Sequence, residues 1–176
     1  MSRQFWCETL AWATADGTAI ANTTVETIIM PNITIPANYL QDGRALRLRL
    51  QGKHSTVATP TLILRVRWGG VAGTLICLSP TFTAGSGITN NLFEIEVMIQ
   101  VRANGATGTV VAIGYATVQG ATAPATQMMC VGGASAPAAT TVDLTADTAL
   151  SVTAQWGTAS ASNTLTGMNY VVEAIN

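Results

Sequence analysis

Apolar and polar residues alternate through residues 44–50. Leu46, Leu48 and Leu50 fall on one side of an extended chain, and Arg47, Arg49 and Gln51 fall on the other. This is the period of two that a pleated strand imposes. The pattern repeats in residues 61–68, where Leu62, Leu64, Val66 and Trp68 oppose Ile63, Arg65 and Arg67. In residues 92–102, Phe93, Ile95, Val97, Ile99 and Val101 oppose Glu94, Glu96, Met98, Gln100 and Arg102. Further strands are predicted at 141–143, 150–156 and 163–176. No stretch carries the 3.6-residue period of a long amphipathic helix.

Turn chemistry punctuates these runs at Asp16-Gly17, Asp42-Gly43, Gly69-Gly70, Gly85-Ser86-Gly87, Asn104-Gly105 and Gly132-Gly133. Asn-Gly between two apolar runs predicts a tight hairpin. Residues 31–40, with Pro31 and Pro36, read as an extended edge piece followed by a short helical turn. Residues 120–141 are small, uncharged and rich in Thr and Ala, and read as one long irregular connection. About eight to ten short strands with regular turns predict an all-β fold, an antiparallel two-sheet sandwich of jelly-roll type. It forms a single domain over 19–176, preceded by an N-terminal arm or extra strand over 1–18 that contacts another subunit.

Charge changes this picture in two ways. Only 10% of the 176 residues are charged, against about 25% in an average soluble protein. Much of the surface is therefore neutral and cheap to desolvate, which suits a chain pressed against copies of itself or a partner. The net charge of −1 gives no reason to expect nucleic acid or an anionic membrane as partner. Six of the eight cations, Arg44, Arg47, Arg49, Lys53, Arg65 and Arg67, lie in two successive strands, so one basic face is expected. Those arginines either pair with Glu94 and Glu96 across strands or face a partner protein.

Side chains suited to chemistry are few. Cys7, Cys77 and Cys130 have neither CxxC nor Cys/His spacing and read as reduced, mostly buried thiols, not as a disulfide framework or zinc site. The one histidine, His54, lies in the turn-like run Gly52-Lys53-His54-Ser55-Thr56 and is expected on the surface. Ser55 beside it makes no nucleophile pair, because adjacent residues on an extended chain point apart. Glu94 and Glu96 share a strand face, and beside arginines they read as salt-paired. Asp143 and Asp147 flank a turn without the Asp-rich loop of a calcium site. Glycine pairs lead into strands, not into phosphate-binding helices. No enzyme activity, cofactor or metal is expected. Trp68 and Trp156 continue inward apolar series and belong to the core. Trp6 and Trp12 lie outside the best strands, and with Arg47, Arg49, Arg65 and Arg67 they are the candidate partner contacts. The first residues contain no apolar run of signal-peptide length, and no segment reaches the ~20 apolar residues of a membrane helix. Synthesis in a cytoplasm follows.

Residues 34–47, 59–70, 93–96 with 105–110, and 154–164 together resemble a group of tailed-bacteriophage virion proteins, in collinear order over most of the chain. The resemblance implies a β-sandwich structural protein of the particle. Its expected role is capsid decoration or cement: it binds the major capsid protein lattice, stabilises the head and associates with itself, as a trimer or alternatively a dimer. The expected location is the capsid surface of the virion, after synthesis in the host cytoplasm. The alternative is a tail or fibre component with a glycan-binding role. The resemblance carries over no catalytic residue.

Overall fold

The alternation of leucine and arginine around residue 48 has a direct structural counterpart. Leu46, Leu48 and Leu50 are fully buried, and the arginines between them point away from the core. The computed structural model describes residues 7–120, 123–133 and 135–175. In chain order the strands are β1 (Cys7–Trp12), β2 (Ile20–Ala21), β3 (Thr27–Ile28), β4 (Ile33–Ile35), β5 (Ala45–Ser55), β6 (Thr61–Trp68) and β7 (Thr74–Leu78). They continue as β8 (Phe82–Thr83), β9 (Asn91–Ala103), β10 (Gly108–Gln119), β11 (Pro124–Met129), β12 (Thr140–Val142), β13 (Thr148–Trp156) and β14 (Thr164–Ile175).

Two antiparallel sheets contain them. The larger runs β1-β14-β5-β9-β10-β11, with β2 beside β1 on β14 and β12 beside β11 on β10. The smaller has β3 and β4 on one side of β13, then β6, then β7 and β8. The chain folds back on itself as nested antiparallel pairs that alternate between the sheets: β1 with β14, β3 and β4 with β13, β5 with β9, and β6 with β7. That nesting is the jelly roll. Strands β10 to β12 extend the larger sheet beyond it.

The core lies between the inner faces. Leu46, Leu48, Leu50, Phe93, Ile95, Val97 and Val172 come from the larger sheet, and Leu62, Leu64, Val66, Leu150, Val152 and Trp156 from the smaller; all are buried. Each such side chain stabilises the fold by about 1.5–3 kcal/mol through removal from water. Trp68 and Trp156 are both core residues, and their indole nitrogens donate to Asp143 O and Ile20 O. The hairpin at Asn104-Gly105 joins β9 to β10, with Gly105 at φ 111°, where a side chain would be strained.

Four sequence expectations are corrected. Residues 120–141 do not form one irregular connection, because β11 pairs with the free edge of β10 from Gly114 to Gln119; β12, lower on the same edge, is the strand expected at 141–143. Small Thr and Ala side chains suit an outer strand as well as a loop. The piece after Pro36 is a turn, not a helical turn. Among the described residues, nine strands have five or more residues and five have two or three, so the short pieces exceed the expected count. Finally, β5 continues to Ser55, where a turn was expected. Gly52 keeps the inward phase, but a Cβ there would stand 2.1 Å from Thr166 O and 2.6 Å from the Phe93 ring. Close approach demands glycine, and glycine hides the hydrophobic rhythm.

Candidate partner-binding surfaces

On the outer face of the larger sheet, register sets side chains into rows across the strands. One row reads Glu173, Arg47, Met98, Ile113; the next reads Val171, Arg49, Glu96, Tyr115, Met128. Arg47 holds Glu173 through Nη2 at 2.6 Å and Nε at 2.9 Å, and this bond with its charge raises the guanidinium pKa above its ordinary value. Arg49 reaches Glu96 at 3.1 Å and Glu94 at 3.5 Å. Tyr115 donates to Glu96 at 3.1 Å, which raises the phenol pKa. The cross-strand pairing of glutamates with arginines is therefore present. Half-exposed pairs of this kind contribute about 0–1 kcal/mol each, so their main effects are on register and on neutrality.

Arg65 and Arg67 lie on the other side of the molecule. β5 belongs to the larger sheet and β6 to the smaller, so the expected single basic face is two separate arginine pairs on opposite outer faces. The chain crosses between sheets within residues 56–60, and alternation cannot reveal that crossing. Glu26 lies between the second pair. It meets Arg67 in a two-pronged bond, Nε at 2.6 Å and Nη2 at 2.9 Å, and accepts from Thr153 Oγ1 at 2.5 Å. Arg65 Nη1 stands 3.4 Å from Glu26, near enough for charge pairing but not aligned as a hydrogen bond. Burial pushes the Glu26 carboxyl up, yet the bonds from Arg67 and Thr153 and the two guanidinium charges outweigh it, leaving the pKa below its usual value.

All three side chains are mostly buried, so Glu26→Ala should lower the unfolding free energy by about 2–3 kcal/mol by leaving two guanidiniums without their anion. Because the folded pKa is depressed, this contribution is present above the unfolded value near 4.5 and is lost as pH falls below it. Urea titration of wild type and variant at pH 7 and pH 3.5 checks both points: the gap between them should shrink in acid.

Trp12 lies at the outer edge of the larger sheet, on β1, and is 64% exposed. Trp6 lies outside the described residues. β1 is held by β14 and by Tyr39, whose hydroxyl donates to Glu8 at 2.6 Å. Burial and then that carboxylate push the Tyr39 phenol up to about 12. Between β1 and residues 28–34 runs an open groove of about 650 Å³ with Leu10, Trp12, Met30 and Tyr170 along it.

The other chemistry-bearing residues serve the frame. His54, expected on the surface, is 0% exposed and points inward from β5. Neither ring nitrogen makes a well-aligned hydrogen bond, although the Asn91 and Gln119 backbones lie near. Asp143 accepts from Thr145 N and Oγ1, and Asp147 from Ala37 N, which are turn and loop contacts. All three cysteines are free, with Cys77 and Cys130 buried and Cys7 exposed. Burial, with Cys130 nearby, raises the Cys77 thiol to about 12, which leaves it unreactive at neutral pH.

Sequence reasoning missed the exposed apolar residues Met98, Ile113 and Met128 within the Arg–Glu rows. Its signal was present: Met98 and Ile113 occupy the polar phase of their strands. No family model, curated protein or solved structure matches the chain.

Proposed function

We propose that this chain is a non-enzymatic structural protein of a virion, a capsid decoration protein that binds the major capsid protein lattice and stabilises the head. One observation carries the reading. Arg47, Arg49, Arg65 and Arg67 each have a carboxylate from their own chain, while apolar Met98, Ile113 and Met128 stand exposed. A sheet face whose Arg47 and Arg49 already hold carboxylates of their own chain is cheaper to desolvate than one with bare arginines. Such faces suit repeated contact in a symmetric shell. A protein that binds the assembled lattice and not its free subunits stabilises the shell by linkage. Resemblance to virion proteins supplies the choice of shell, because a sandwich fold alone does not select a function.

Quantitative mass spectrometry of purified particles from the source of this chain tests the reading. A copy number comparable with that of the major capsid protein is the expected result. A ratio lower by one or two orders of magnitude moves the chain to the tail or a fibre, and absence from particles overturns the virion reading.

A further inference from the structure

The outer face of the larger sheet has two unlike halves. On the β14 and β5 side lies a shallow hollow of about 280 Å³ between Arg47, Arg49, Val171 and Glu173. On the β9 and β10 side stand Met98 and Ile113, 42% and 41% exposed, directly opposite one another in register. Net charge divides the same way: Arg47, Arg49 and Lys53 outnumber Glu173 on the β5 and β14 half, and Glu94 and Glu96 outnumber Arg102 on β9. A surface with hollow and positive charge on one half, and protrusion and negative charge on the other, is complementary to itself after a two-fold rotation.

We propose that this face is a homotypic interface on which a second copy of the chain docks about a two-fold axis running parallel to the strands above the β5/β9 seam. This rotation keeps each row opposite its own row. Arg49 then faces Glu96 of the other copy, Gln51 faces Glu94, and Val171 faces Tyr115. Met98 comes over the aliphatic stem of Arg47, at the rim of the hollow. No ion pair has to break, because Arg47 and Arg49 already bond to glutamates within each chain, and docking adds a further partner to each Arg49 and Glu96. The area is sufficient. β9 has 13 residues, about 43 Å at the rise of a strand, and the four strands from β14 to β10 span about 19 Å. The product, about 800 Å², is what each side of a standard stable interface contributes. Face-to-face packing of two sheets about 10 Å apart is the usual geometry of a sandwich.

This inference rests on the assembly reading above and adds to the lattice contact a contact between two copies of the chain, with the surface that makes it. Sedimentation velocity of the full chain over a wide concentration range is the test, with Met98→Glu and Ile113→Glu as interface variants and Val25→Glu, exposed on another part of the surface, as control. The expected result is a concentration-dependent dimer whose dissociation constant rises at least about tenfold in each interface variant, as for a central interface residue, and is unchanged in the control. Wild-type protein supplies a readout free of folding defects. Peroxide oxidation of Met98 should slow as concentration rises through dimerisation, while modification of Trp12 should not. A monomer at every concentration, a trimer, or a dimer indifferent to both variants overturns the proposal. A monomer found at capsid-like copy number in particles would sink this interface and leave the virion reading standing.

Discussion

Trp156→Ala should destabilise the protein by about 3–5 kcal/mol, and Trp12→Ala by less than about 0.5 kcal/mol. The residue removed is the same, and the difference lies in what surrounds it. Trp156 is 1% exposed, sits opposite Leu62 on the neighbouring strand, and donates its indole N–H to Ile20 O at 3.3 Å. Truncation leaves a cavity between two sheets whose backbones are tied by their own ladders and cannot collapse into it. Trp12, on an outer strand and largely in water, leaves no cavity. For a chain of this size the Trp156 loss corresponds to a melting temperature lower by roughly 10 °C. Calorimetry of both variants checks it, and equal shifts would contradict the assignment of Trp156 to the core and Trp12 to the surface.

Acid should weaken the fold through His54 in a window separate from that of Glu26. The ring is fully buried with no well-aligned partner for either nitrogen, so burial lowers its pKa below 6.5 and outweighs the opposing effect of the Asn91 and Gln119 backbones. Its strand neighbours in register, Leu165 and Asn91, are uncharged, and Lys53 beside it points the opposite way along the pleat. Folding thus keeps the imidazole neutral while the unfolded chain can protonate it. Since the folded pKa lies below the unfolded one, the unfolded state binds more protons between the two values, and stability falls as pH drops from about 6.5 toward the folded value. Above pH 6.5 this effect is absent. Urea midpoints measured from pH 8 to pH 5 should be level and then decline in wild type, and His54→Leu should flatten the decline. A wild-type midpoint that stays level to pH 5 would show that the imidazole is not held neutral by the fold.

Which residues face inward along each strand is a local property. Backbone pleating places Leu46, Leu48 and Leu50 on one side whatever lies across from them, so the sequence by itself determined the strands around residues 44–50, 61–68, 92–102, 150–156 and 163–176, much of the core, and the hairpin at Asn104-Gly105. Where the inward position lacks a large apolar side chain, as at Gly52 and His54, the rhythm is silent and does not mark the strand. Tertiary structure alone decided which sheet each strand enters. For that reason Arg47 with Arg49 and Arg65 with Arg67, close in the chain and alike in pattern, stand on opposite faces. It also decided that Glu26, from the segment before β3, covers the second arginine pair, and that Met98, Ile113 and Met128 stand on one outer face. These outcomes depend on contacts between residues far apart in the chain, and a period of two carries no information about which distant strand will become the neighbour.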